Sequence, residues 1–169
     1  FSFNLALRIY PLTGSETFVE LHTDASLAPQ GGKSHQGFIM MLGKNVITWG
    51  SSRQKLHSLS SAECELIAAV HGAQTTLSLL HMIQEYMQKK LRIHQFVDNE
   101  AVLCVVKTGG SSSNRTRHLS MRAFWLRHLV GMDLLRMTHV DTKSQRADSL
   151  TKGLTCTQLV RDQLNLVMH

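Results

Sequence analysis

Proline is almost missing from this chain: two residues in 169, Pro11 and Pro29, both within the first thirty. There is no internal repeat and no low-complexity tract, so repeat and fibrous architectures are excluded. Cysteine is scarce too, and the three present (Cys64, Cys104, Cys156) are odd in number and far apart. None stands in a Cys-x-x-Cys pair, which excludes a disulfide framework or a zinc ribbon and points to a reducing compartment. No apolar run reaches the length of a membrane span, and no charged-then-apolar signal segment opens the chain. Acidic residues are few, twelve against eighteen Lys and Arg, for a net charge of +6. That excess either attracts polyanions or serves solubility. What remains is 43% hydrophobic and 18% charged residues, the composition of one domain with a real core. The first residue is Phe1, not Met, as expected of a piece of a longer polypeptide.

Periodicity sets out the elements. Residues 1–17 are a lead-in with turn chemistry at Pro11-Leu-Thr-Gly14. Phe18–Asp24 alternates as a strand, and Gly37–Leu42 and Val46–Gly50 form a hairpin across Gly43-Lys-Asn45. Ser60 and Glu63 have the spacing of a capping box, which predicts a helix start. Leu66, Ala69, Val70, Ala73, Leu77, Leu80 and Ile83 then recur at three- and four-residue steps as an amphipathic stripe. A fourth strand at Leu91–Val97, a short helix at Ala101–Lys107, a helix at Thr116–Val130 and a fifth strand at Leu134–Val140 follow. Helices at Gln145–Lys152 and Thr157–Leu166 complete the expectation. The order βββαβαβαα predicts a meander followed by crossovers, hence a mixed sheet covered by helices.

With so few carboxylates, their positions carry information. Asp24 ends the first strand, Asp98 ends the fourth, Glu65 lies in the first turns of the long helix, and Asp148 is expected to open a helix after the fifth strand. The crossover allows the first and fourth strands to be neighbours, which sets Asp24 and Asp98 side by side where open sheets build sites. Acids at strand ends and helix starts also serve as caps or solvated charges. Glu63 is accounted for by its cap; Glu65, at the edge of the apolar stripe, is not. Four converging carboxylates need a hard divalent cation, and oxygen-only ligands select Mg²⁺ or Mn²⁺ over zinc.

The segments His22-Thr-Asp24-Ala25, Ile47-Thr-Trp-Gly-Ser-Ser-Arg-Gln-Lys55, Leu59-Ser-Ser-Ala-Glu-Cys-Glu65-Leu-Ile-Ala-Ala69, Val97-Asp98-Asn99, Arg115-Thr-Arg-His118-Leu and Ala147-Asp148-Ser-Leu-Thr-Lys152 occur in this order. Together, over residues 18–155, they resemble the ribonuclease H domain of copia-type LTR retrotransposon Pol polyproteins. The resemblance implies an α/β, ribonuclease H-like fold: a five-stranded mixed sheet, three antiparallel strands then two parallel, flanked by helices. Residues 18–169 would form that domain and residues 1–17 the connection to a preceding reverse transcriptase domain. It implies Asp24, Glu65, Asp98 and Asp148 as catalytic acids and ligands of two Mg²⁺ ions, with Mn²⁺ as a substitute. Asp24 would bridge both ions, Asp148 would serve the nucleophile side, and Glu65 and Asp98 the leaving-group side. The implied reaction is endonucleolytic hydrolysis of the RNA strand of an RNA–DNA hybrid, in cytoplasmic virus-like particles or in the nucleus, with no membrane involved. Three features depart from the family pattern: Asp24-Ala25-Ser26 in place of Asp-Ala-Asp, a loop at 28–33 without acids, and His118-Leu-Ser120 in place of His-Ile-Asp. His139 falls within the fifth strand and is given no catalytic role.

Arg115, Arg117, His118, Arg122 and Arg127 cluster on or just before one helix, with Lys107 and Asn114 nearby, and suit the phosphates of a nucleic acid more than a merely solvated face. Asn99 either donates to a phosphate or 2′-hydroxyl or caps a helix. Trp49 and Trp125 sit in apolar runs and are expected in the core. Cys64 lacks a partner base and reads as a small buried residue. Two alternatives remain beside the nuclease. One is a degraded domain that binds hybrid without cutting. The other is an integrase-type transferase, which expects a closing Glu on a helix where this chain has Asp148.

Overall fold

Alternating apolar residues build a first strand, β1, at Phe18–Ser26, and the hairpin adds β2 at His35–Leu42 and β3 at Asn45–Arg53. These strands belong to a computed structural model that describes residues 9–28, 32–109 and 117–152. Helix α1 spans Ser61–Met87 and leads into β4 at Arg92–Val97. Helices α2, Glu100–Thr108, and α3, Arg117–Gly131, precede β5 at Leu135–His139. The sheet order is β3-β2-β1-β4-β5, with β1, β2 and β3 antiparallel and β1–β4 and β4–β5 parallel. The expected five-stranded mixed sheet is therefore present, and β1 and β4 are neighbours.

Ser60 caps α1 through its hydroxyl, which accepts from the Glu63 N–H, while the Glu63 carboxylate accepts from the Leu59 N–H. The apolar stripe of α1 packs on the sheet: Leu66, Ala69, Ala73 and Leu80 are buried with Val19, Leu21, Met40 and Ile93. By length and composition α1 would also pass as a membrane span, contrary to the sequence-based expectation, yet its apolar stripe is the core of the domain. At Gly72 the helix lies close against β1. A Cβ there would stand 2.4 Å from Thr23 Cγ2 and 3.4 Å from Leu21.

Two expectations are corrected. No α-helix covers 145–152; the chain instead makes single 3₁₀ turns at Thr142–Ser144 and Asp148–Leu150, with Gln145 extended between them. Tertiary bonds override local propensity here. The buried Gln145 amide donates to the Thr23 and Phe96 carbonyls, and its oxygen meets His22 Nδ1. The second turn presses on β2 at Gly37, where a Cβ would meet that of Leu150 at 2.7 Å. Trp49 is not in the core but 60% exposed. It lies on the edge strand β3 and pairs with Ile39, on the sheet face turned away from α1. Trp125 does pack against the core. The helix expected at Thr157–Leu166 lies outside the described residues.

Replacing Gly72 by Leu should force α1 off β1. Overpacking of this kind costs about 1–3 kcal/mol or more, read as a lowered midpoint in urea unfolding.

Candidate active site

The parallel β1–β4 pair sets the site. Strand alternation turns Val19, Leu21 and Thr23 toward α1 and leaves Glu20, His22 and Asp24 on the opposite side, within reach of the turns after β5. Asp98 follows the last residue of β4, and Glu65 comes from the second turn of α1. Three carboxylates meet there: oxygens of Asp24, Glu65 and Asp98 lie within 4.8 Å of one another. Asp24 and Glu65 are 3% and 6% exposed, which sets them apart from solvated charges. Asp148, the first residue of the second 3₁₀ turn, stands just outside this group but near enough to act on Asp24.

The electrostatics follow from crowding. Burial, then the charges of Asp24 and Asp98, pushes the Glu65 carboxyl up to about 9, against a smaller opposing effect of the Ala25 backbone. Burial also raises Asp24; the Thr151 hydroxyl opposes this, and Asp98 and Asp148 add to it. Glu65 Oε2 is buried and has no hydrogen-bond partner. The other acids have one each from the segment after β5. Thr142 Oγ1 donates to Asp98 at 3.1 Å, Thr151 Oγ1 donates to Asp24, and Lys152 Nζ donates to Asp148. An orphaned carboxylate oxygen inside an all-oxygen donor set fits a hard divalent cation. Among the described residues no His or Cys joins the group. Cys64 is buried and inert, its thiol pushed up to about 12 by burial and then by the neighbouring Glu65 charge.

Buried amides brace the seam beneath the acids. Gln95 Nε2 donates to Thr23 Oγ1 and to the Ala69 carbonyl, tying β4 to β1 and α1. Gln54 Nε2 donates to the Cys64 carbonyl, next to Glu65. Sequence reasoning missed Gln54, Gln95, Gln145, Thr142, Thr151 and Lys152. The signal for three of them was available, since Gln54, Thr151 and Lys152 fall inside the recognised segments.

The expected nucleic-acid contacts are less gathered. Asn99 caps α2, its Oδ1 accepting from the Ala101 N–H at 3.0 Å. Arg122 lies half-buried on α3. Arg117 and His118 occupy the first two positions of α3, and their side chains, like Arg115 and Asn114, lie outside the described residues. Lys107 and Arg127 flank one cleft floored by Leu103, Val106, Val130 and Met137. His139 ends β5, exposed, with Nε2 at 3.2 Å from the Asp98 carbonyl.

Comparison with known proteins bears out the fold. The halophilic ribonuclease H1 of Halobacterium salinarum superposes with a TM-score of 0.60 at 17% identity, covering 85% of this chain and 98% of that one. The fold is that of ribonuclease H. A ribonuclease H1 from compost, solved in complex with an RNA/DNA hybrid, matches at a TM-score of 0.53 and 14% identity over 78% of this chain and 92% of its own. In sequence the chain is 28% identical to the retrovirus-related Pol polyprotein of transposon TNT 1-94 from Nicotiana tabacum, over 82% of the chain and 10% of the relative. The Ty1-DR1 Gag-Pol polyprotein of Saccharomyces cerevisiae is 28% identical over 72% of the chain and 7% of its own length. The chain thus spans a tenth or less of the curated relatives it matches. No protein-family model matches it.

The raised Glu65 carboxyl has a pH signature. Between the ordinary value of 4.5 and about 9, the folded chain holds a proton that the unfolded chain has released. Stability should therefore fall as pH rises through that window. In EDTA, thermal melts should show a lower Tm at about pH 9 than at about pH 5, and Glu65→Gln should flatten the difference and raise the alkaline Tm.

Proposed function

We propose that this chain is the ribonuclease H segment of a retrotransposon Pol polyprotein and hydrolyses the RNA strand of RNA–DNA hybrids. The observation that carries the reading is the buried meeting of Asp24, Glu65 and Asp98 at the ends of β1 and β4, with one carboxylate oxygen unpartnered. The ribonuclease H fold and the Pol relatives support it. Asp24, Glu65, Asp98 and Asp148 would hold two Mg²⁺ ions, with Mn²⁺ as a substitute. Bound there, such a pair supplies a water acidic enough to attack phosphorus and charge relief for the departing 3′-oxygen.

The residues divide the work by position. Asp24 interacts with Asp98, Asp148 and Glu65 alike, which suits it to a ligand shared between two ions. Asp148 stands apart on its own turn and would serve the nucleophile side, while Glu65 and Asp98, with oxygens within 4.8 Å of each other, would serve the leaving-group side. Glu65 is also placed to sense the 2′-hydroxyl that separates RNA from DNA. Asn99, Arg115, Arg117, His118 and Arg122 would hold backbone phosphates of the hybrid. Residues 1–17 would connect to the reverse transcriptase domain, and the setting would be cytoplasmic virus-like particles, or the nucleus.

Replacing Asp98 by Asn should abolish Mg²⁺-dependent cleavage of a labelled hybrid while leaving the circular dichroism spectrum unchanged. Partners one step removed from a metal cost about 10–100-fold, so loss of a ligand should cost more than about a hundredfold. Wild-type protein that binds hybrid without cutting it would instead mark a tethering domain. For the phosphate contacts, Arg122→Ala should weaken hybrid binding and lower the slope of log K against log salt by about 0.7–0.9, the release of one counterion.

A further inference from the structure

We propose that Lys152 is a resident counter-ion of the acidic cluster, which a divalent cation must displace and which holds the metal affinity of this protein down. The proposal rests on the reading that the four acids seat divalent cations. Lys152 Nζ donates to Asp148 Oδ1, and its charge is felt by Asp24 and Asp98 as well. Its direct partner is Asp148, and Asp24 and Asp98 lie within range of its charge. No other Lys or Arg among the described residues forms an ion pair with any of them.

The segment carrying Lys152 is built around this cluster. Thr142 and Thr151 donate to Asp98 and Asp24, so each aspartate receives a donor from the eleven residues 142–152, while the buried Oε2 of Glu65 has none. An ammonium and a hard divalent ion compete for the same carboxylate oxygens, and they repel one another when both are present. Displacement costs little. The Lys152 side chain is 49% exposed, and a half-exposed pair of this kind contributes little to stability. Its flexible stem lets the ammonium swing into water without moving the backbone.

The test is a Mn²⁺ titration of the full chain, with free Mn²⁺ followed by electron paramagnetic resonance, for the wild type, Lys152→Met, Lys152→Arg and Asp98→Asn. Lys152→Met should bind Mn²⁺ about five- to tenfold more tightly, the size expected of one half-exposed unit charge near the ion. Lys152→Arg, which keeps the charge, should stay near the wild type. Asp98→Asn should bind more weakly. Unchanged or weakened binding by Lys152→Met, with Asp98→Asn still impaired, overturns the role of Lys152 and leaves the metal site standing. No Mn²⁺ binding by the wild type, or no effect of Asp98→Asn, overturns the metal site and this inference together. Thermal melts of each variant confirm that folding is intact.

Discussion

Mutual repulsion among buried carboxylates is the constraint on which the rest of this structure depends. Two unit charges about 4 Å apart repel by about 4 kcal/mol in a protein interior of effective dielectric about 20. Asp24, Glu65 and Asp98 stand this close, and two of them are almost wholly buried. Such an arrangement persists only where the surrounding structure compels it and where protons, donors or cations offset the charge. Both conditions are met here. Glu65 takes up a proton far above the usual carboxylate range, and Asp24 is shifted the same way. Thr142, Thr151 and Lys152 supply the donors.

The compulsion comes from parts of the fold that have no charge. The parallel pairing of β1 with β4 puts Asp24 beside Asp98, and α1 packs closely on β1 at Gly72 and delivers Glu65 from its second turn. Three buried glutamines fasten the junctions: Gln95 between β4, β1 and α1, Gln145 between the last turns and the β1–β4 seam, and Gln54 at the start of α1. Hydrogen-bonded amides of this kind fasten a site without adding to its charge, whereas a Lys or Glu in the same places would add to it.

Much of this was legible in the residues. The strand alternation, the Ser60 cap and the stripe from Leu66 to Ile83 define the elements, and the crossover makes β1 and β4 neighbours. Glu65 could be singled out because it borders an apolar stripe without a capping duty. The failures have a common cause. Trp49 sits in an apolar run that reads the same whether its strand is central or at the edge, and periodicity does not say which sheet face is covered. Residues 145–152 have helical propensity, but Gln145 is drawn into the seam and Gly37 draws Leu150 onto β2, contacts that join positions more than a hundred residues apart. The donor roles of Thr142 and Thr151 toward Asp98 and Asp24 depend on that same long-range packing, whereas Lys152 reaches Asp148 across a local four-residue step.

The most direct test of the central claim is an anomalous difference map from crystals of the protein soaked in Mn²⁺, collected near the manganese absorption edge. The account requires manganese peaks among the carboxylates of Asp24, Glu65, Asp98 and Asp148, with Asp24 touching each ion present. A map with no anomalous density in that cluster at saturating Mn²⁺, or with ions held only by other residues, would contradict it.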